Sequence, residues 1–287
     1  MERNDLCWCG SGKKYKKCHR PIEERIQLHA DWGEIVPERK ILKTPFQIEM
    51  IKKSAALNTK VLDAVAEKIH VGMSTGEIDR IVYDVTTGNG GIPATLHYQG
   101  YPKSVCTSIN NEICHGIPDE MVILQDGDIV NVDVSTILDG YYSDASRMFL
   151  MGDVSKRARR LVEVTQECVD LGLAAAKPWG HLGDIADAIN THAKKNGYAV
   201  VIEIGGHGIG LQFHEDPFVS YVTPKGSEML LVPGMTFTIE PMINEGSPDF
   251  YVDEENEWTV YTMDDGLSAQ IEYMVLVTED GMEVLTK

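Results

Sequence analysis

Between residues 46 and 70 the apolar positions Ile48, Ile51, Ala55, Leu62, Val65 and Ile69 recur three, four or seven apart, which places them on one stripe of a helix. Gly72 closes that helix. Ser74 followed three residues later by Glu77 reads as a capping box, opening a second helix that runs through Val85. The same reasoning predicts a helix over 155–177, stopped by Pro178, and another over 184–196, stopped by Gly197. Short apolar or alternating runs predict strands over 104–109, 129–137, 141–149, 199–204, 236–243 and 269–277. Asp139-Gly140 is a strong signal for a two-residue hairpin turn, so much of the sheet is expected to be antiparallel. Helix pairs thus alternate with groups of strands, an α+β pattern rather than a doubly wound one.

Upstream of this body the pattern changes. Residues 21–45 carry Pro21, Pro37 and Pro45 among many charges and read as a linker, leaving 46–287 as the main domain. Residues 1–20 have no apolar period, but Cys7, Cys9, Cys18 and His19 supply three thiolates and an imidazole within thirteen residues. That is a complete tetrahedral donor set for a structural Zn²⁺. A segment this short has no core, so metal binding would supply its folding energy.

Charge sharpens the division. The chain has 287 residues and a formal net charge of −18, which argues against nucleic acid as the main partner. Residues 1–20 nevertheless hold six basic side chains against two acidic ones, so the rest of the chain carries more than the whole net negative charge. No apolar run approaches the roughly 20 residues needed to span a bilayer, and MERNDLCWCG lacks the apolar stretch of a signal peptide, so a cytoplasmic protein is expected. Cys106, Cys114 and Cys168 are dispersed and read as reduced, packed thiols.

The segment richest in chemistry is Ile129-Val130-Asn131-Val132-Asp133-Val134-Ser135, where alternation puts Asn131, Asp133 and Ser135 on one face of a strand. If Asp139-Gly140 forms the turn, Leu138 pairs with Tyr141 and Asp133 lies opposite Ser146. Asp144 then shares that face one diagonal step away, ~7–8 Å between backbones. From there two carboxylates can converge on a metal pair whose ions sit about 3.5–4 Å apart. His207 stands among four glycines that leave room for close approach, and Glu240 and Glu272 lie in apolar strands where an unpaired carboxylate is costly. Gly205-Gly206-His207-Gly208-Ile209-Gly210 does not have the spacing of a dinucleotide loop, and no nucleotide site is read there.

From Ile41 to the C-terminus the chain resembles type I methionine aminopeptidases, through VNVDVSTILDGYYSDASRMF, GGHGIGLQFHEDP, GMTFTIEP and SAQIEYMVLVT. The resemblance implies the pita-bread fold, with pseudo-two-fold α/β halves, shared with aminopeptidase P and prolidase. It implies metal ligands at Asp133, Asp144, His207, Glu240 and Glu272, with Asp144 and Glu272 bridging two divalent ions, Asp133 on one, and His207 and Glu240 on the other. Glu240 would shuttle the proton, His214 would donate to the carbonyl oxygen, and His115 would orient the peptide nitrogen of the second residue. Tyr98, Tyr101, Cys106, Phe213 and Trp258 match the lining of a methionine pocket, aromatic walls and a sulfur that suit a thioether. The chain departs from the family pattern at Thr95, where some relatives carry cysteine, and at Tyr273, where histidine usually follows the last ligand.

The implied reaction is removal of the initiator methionine from nascent chains, with a preference for small second residues, by a monomer using Co²⁺, Mn²⁺, Fe²⁺ or Zn²⁺. The other readings weighed are a proline-specific aminopeptidase or prolidase of the same fold, and a non-catalytic, translation-associated binding protein. Residues 1–20, CxCGSGxKxKxCH, resemble the SEC-C zinc module, and their lysines point to docking on ribosomes or on translation or secretion factors.

Overall fold

The computed structural model describes residues Met1–Lys287. Five α-helices form where the apolar stripes and caps coincide: α1 Arg20–Asp31, α2 Pro45–Ala66, α3 Thr75–Gly88, α4 Lys156–Ala175 and α5 Leu182–Lys195. Both α2 and α3 open with reciprocal capping boxes, Thr44 with Gln47 and Ser74 with Glu77, which satisfy backbone N–H groups the first turn leaves free. Ser155 caps α4 through its hydroxyl. The main helix α2 ends before the expected Gly72, although Ile69 N still donates to Val65 O at 2.9 Å. The chain then turns at Gly72 at a φ of 91°. Helix α5 begins two residues earlier than expected, because Asp184 reaches back to accept from His181 N at 3.0 Å.

The connector is the larger departure. Residues 20–31 are helical, since Pro21 at the first helical turn has the φ a helix needs and lacks only an N–H that would be unsatisfied there anyway. Ile22 and Ile26 on α1 and Trp8 ahead of it pack against the largest hydrophobic core. The Arg25 guanidinium lies 4.0 Å over the Trp179 ring. Glu23 accepts from Trp8 Nε1 at 2.8 Å, from the Tyr15 hydroxyl, and from Arg39 Nη2 at 2.9 Å. The cysteine-rich head is therefore seated on the body rather than tethered by a loose strand.

Nine strands make the main sheet: β1 Ile92–Pro93, β2 Cys106–Ile109, β3 Ile129–Leu138, β4 Tyr141–Leu150, β5 Gly206–Gly208, β6 Glu215–Val219, β7 Thr236–Ile239, β8 Glu272–Val277 and β9 Met282–Val284. The path across it runs β1-β3-β4-β8-β7-β5-β6, with β2 beside β3 and β9 beside β8. Every pairing is antiparallel. The expected hairpin is present with Leu138 opposite Tyr141 and Asp133 opposite Ser146. Asp139 and Gly140 sit at positive φ, 51° and 82°, the turn whose twist matches the flanking strands.

Two expected strands are each broken in the middle. The segment over 236–243 divides into Thr236–Ile239 and Met242–Asn244, with Pro241 unable to donate between them. The segment over 269–277 divides into Ser268–Gln270 and Glu272–Val277. Met242–Asn244 and Ser268–Gln270 pair with each other and, through Ala199–Val200, form a separate three-stranded sheet. The breaks fall beside Glu240 and Glu272, which stand where the chain leaves one sheet for another.

Helices cover one face of the main sheet in two like halves. Helices α2 and α3 bury Val130, Val132, Val134 and Ala145 in one core, and α4 and α5 bury Phe237, Ile239, Tyr273 and Val275 in the other. Leu161 and Ile189 of the second pair are fully buried, and truncating either to alanine would cost about 2–5 kcal/mol. Alternation leaves Asp133, Asp144, Thr238 and Glu272 on the opposite face, away from these helices. No helix is long and apolar enough to cross a membrane.

Candidate active site

Cross-strand register assembles the acidic side chains. Asp133 on β3 and Glu272 on β8 both pair with Ser146 of β4, so the three residues stand in line across the sheet. Asp144 faces Ser135 two pairs further along the hairpin, on the same face. His207 on β5 and Glu240 just beyond β7 close the group from the second half. Donor atoms of Asp144, His207 and Glu272 all lie within 4.8 Å of one another. His207 Nε2 is 3.6 Å from Glu240 Oε1 and 3.9 Å from Asp144 Oδ2, the spacing of atoms that share a cation rather than of hydrogen-bonded partners.

Neighbouring side chains fix how these groups point. The Ser135 hydroxyl donates to Asp144 Oδ1 at 2.8 Å. Thr238 donates to Glu240 Oε1 at 2.6 Å and Gln270 to Glu240 Oε2 at 3.0 Å. His207 Nδ1 lies 3.0 Å from the Gly208 carbonyl, and as the donor there it leaves the Nε2 lone pair aimed at the carboxylates. Thr286, at the far end of the chain, donates to the Asp144 carbonyl at 2.8 Å. Thr238 and Gln270 escaped the sequence reading, yet each lies two residues before a candidate ligand, and period-2 alternation was the signal that could have found them.

Such an arrangement is electrostatically unfavourable by itself. Burial pushes the Asp133 carboxyl up to about 6 and Glu240 up to about 8. Burial and the charges of Asp133 and Glu240 raise Asp144 well above the usual carboxylate range, and burial with the charge of Asp144 does the same for Glu272. Burial lowers His207 to about 3, keeping the imidazole neutral. Asp133 Oδ1 and Glu272 Oε1 are buried without a hydrogen-bond partner. Acceptor atoms left orphaned among four crowded carboxyls, beside a neutral imidazole, fit divalent cations and little else.

These groups form the floor of a cleft of about 530 Å³, lined by every catalytic, substrate-binding and active-site metal residue expected from the sequence. Tyr98 and Phe213 meet edge to face at 4.8 Å between ring centroids, and Tyr101 and Trp258 at 5.1 Å. The Tyr101 hydroxyl donates to the Val105 and Gly116 carbonyls, so only its ring serves the cleft. Cys106 pairs with Asp133 across β2 and β3. His115 holds a left-handed backbone conformation at φ 57° against Trp258, and burial lowers its pKa to about 4. The His214 ring lies tilted against that of His207, 4.2 Å between centroids, and its Nδ1 lies 2.9 Å from the Tyr98 hydroxyl. Of the two departures from the family pattern, Thr95 lines the cleft, while Tyr273 points to the helix side, where its hydroxyl meets Gln166.

The N-terminal donors also converge. Cys7 Sγ and Cys18 Sγ lie 3.2 and 3.3 Å from His19 Nδ1, and Cys9 Sγ lies 3.6 Å from Cys18 Sγ. Burial holds His19 below its ordinary pKa, favouring the neutral imidazole a metal requires. Four such donors within 4.8 Å of one another, three of them sulfur, fit a single zinc ion.

Known proteins carry the same two parts. The model of Metallopeptidase family M24 matches residues 49–279, and the SEC-C motif matches residues 3–21. Methionine aminopeptidase of Chlamydia trachomatis is 42% identical over 294 residues, covering 100% of this chain and 99% of that protein. The Escherichia coli methionine aminopeptidase is 44% identical over 246 residues, 85% of this chain and 93% of its own. The crystal structure of methionine aminopeptidase from Rickettsia prowazekii superposes with a TM-score of 0.84 at 40% identity, covering 86% of this chain and 99% of that one. With the family model spanning most of the sequence and relatives matched along nearly their whole length, the chain belongs to the methionine aminopeptidases of metallopeptidase family M24.

Proposed function

We propose that the protein removes the initiator methionine from nascent polypeptides, with Asp133, Asp144, His207, Glu240 and Glu272 holding a pair of divalent cations. The observation that carries this reading is the meeting of those five side chains on the floor of a cleft walled by Tyr98, Cys106, Phe213 and Trp258. When bound, such cations activate water and polarise a carbonyl near neutral pH. The chain's own groups do the rest. Glu240, oriented by Thr238 and Gln270, takes the proton from the attacking water and passes it to the leaving amine. With the Tyr98 phenol donating to Nδ1, His214 keeps its proton on Nε2 and donates it to the substrate carbonyl oxygen as negative charge develops there. His115, braced by Trp258, orients the peptide nitrogen of the second residue. The aromatic rings and Cys106 take the unbranched thioether and exclude water from it.

The deciding experiment is release of free methionine from a Met-Ala-Ser peptide by metal-stripped protein to which Co²⁺, Mn²⁺, Fe²⁺ or Zn²⁺ is returned, with Ala-Pro-Ser as control. Metal-dependent cleavage of the methionine peptide alone is expected. Cleavage of the proline peptide would move the chain to the prolidases, and no cleavage with any metal would favour a binding protein.

Residues 1–20 act in this reading as a separate zinc module, with Cys7, Cys9, Cys18 and His19 as ligands. Arg3, Lys13, Lys14 and Lys17 are exposed on it, and their charge suits the acidic surface of a ribosome. Co-sedimentation with ribosomes should be lost when residues 1–20 are deleted; unchanged co-sedimentation would remove this role.

A further inference from the structure

Lys43 is a residue the catalytic reading does not use. Its side chain is fully buried, which is rare for lysine without a partner of opposite charge. It lies just ahead of α2, held by its own backbone, whose N–H donates to the Gly234 carbonyl at 2.8 Å. Its ammonium is 2.5 Å from Glu215 Oε2 and 3.3 Å from the Ile41 carbonyl. The other oxygen, Glu215 Oε1, accepts from Leu211 N at 2.6 Å and from Gln212 N at 2.9 Å. The five residues 211–215 are thereby closed into a ring by one carboxylate, and Phe213 and His214 project from it into the cleft. The lysine stem also runs beside Gly210, where a Cβ would come within 3.3 Å of Lys43 Cε and 2.6 Å of Ile51 Cδ1.

We propose that Lys43 is a positioning residue for the reaction: its buried ammonium orients Glu215, and Glu215 clamps the loop that aims His214 at the substrate carbonyl. Neither residue touches the five candidate ligands in this scheme. The physical reason for an ion pair here, rather than apolar packing, is directional. A carboxylate that must offer one oxygen to two backbone N–H groups needs its other oxygen held, and a buried charge-assisted contact holds it in one orientation. A displacement of about 1 Å of a group that acts only at the transition state costs on the order of 10²-fold in rate. The inference rests on the role given to His214 above.

The test compares Lys43→Met, Glu215→Gln and His214→Ala, singly and as the Lys43→Met/His214→Ala pair, in the full-length, metal-loaded protein. Lys43→Met is expected to lower kcat for Met-Ala-Ser about tenfold or more with KM nearly unchanged, and to add nothing in the His214→Ala background. Glu215→Gln keeps an oxygen for the two N–H groups and is expected to lose less. In the metal-free protein, Lys43→Met should speed amide exchange at Leu211 and Gln212 while leaving the α4 and α5 amides protected. Equal losses of kcat in the wild-type and His214→Ala backgrounds would overturn the proposal, because Lys43 would then act by another route. Wild-type kcat and unchanged exchange in Lys43→Met would overturn it as well. If His214→Ala itself kept wild-type kcat, the role of His214 would fail instead, and the exchange rates at Leu211 and Gln212 would still decide whether Lys43 holds the loop.

Discussion

Cys7, Cys9, Cys18 and His19 meet across thirteen residues of chain, whereas Asp133 and Glu272 reach one cleft from strands on either side of Ser146. The head closes a short loop and has little core of its own, so its shape rests on the seat that Trp8 finds against Glu23 and the larger core and would depend on a metal held by its four donors. The body pays a large entropy of closure for its distant ligands, but helices α2 to α5 hold the sheet without help from any ion. In the proposed reading one region would be folded by the metal it holds, whereas the other folds on its own core and then presents its donors. This difference teaches that similar donor chemistry can serve structure in one place and reaction in the other.

The sharpest way to separate the two regions is to remove a carboxyl from the cleft. Glu240→Ala should lower kcat by about 10²–10⁴, and Asp133→Asn should likewise abolish measurable turnover. The amide resonances of residues 7–19 should stay in place in both variants. Full activity in either would overturn the assignment of the site. His214→Ala comes next, with a loss of about 10²–10³ in kcat; a change confined to KM would make it a substrate-binding group only.

The converse change is Cys9→Ser. It should open residues 1–20 to trypsin at Lys13, Lys14, Lys16 and Lys17 while kcat stays within about twofold, since no residue of the head lines the cleft. A loss of activity approaching that of Glu240→Ala would show instead that head and body form one cooperative unit.

The smallest effect is on the pH dependence of the metal-free protein. Because Glu240 is raised to about 8 in the fold, the folded chain keeps a proton that the unfolded chain releases, and stability declines as pH rises from 6.5 towards 8. His207, neutral in the fold, subtracts stability as pH falls to its ordinary value of 6.5 and so offsets part of the difference at the lower end of this window. One such group changes Tm by about 2–4 °C per kcal/mol in a chain of this size. Melting curves at the two pH values should differ by a few degrees, and Glu240→Gln should lessen the difference, leaving the part due to Asp144 and Glu272; equal slopes in both proteins would place the proton elsewhere.

Much of this architecture was legible in the sequence where one local rule decided the outcome. The Ser74–Glu77 box, the Asp139-Gly140 turn and the resulting opposition of Asp133 and Ser146 depend on neighbouring residues and one count. The linker reading of 21–45 did not include the helix α1, because prolines among charges give no apolar period, and Pro21 fits a helix only in its first turn. The strands at 236–243 and 269–277 read as continuous because apolar alternation persists across Pro241 and Ile271, while the partners on the two sides of each break are different. Motifs pointed to the candidate ligands and the aromatic walls, and alternation two residues before Glu240 and Glu272 could have added Thr238 and Gln270; the Lys43–Glu215 pair joins distant segments of the chain, which no local pattern announces.

The two-residue turn of the β3–β4 hairpin sets a rule of inheritance for this chain. Letters at Asp139 and Gly140 can drift among residues that tolerate positive φ, but their number cannot change. One insertion would rotate β4 by a face, turning Asp144 under α2 where Ser143 now meets Ser54 at 2.8 Å. Descendants of this gene should therefore vary in spelling at the turn and agree in length.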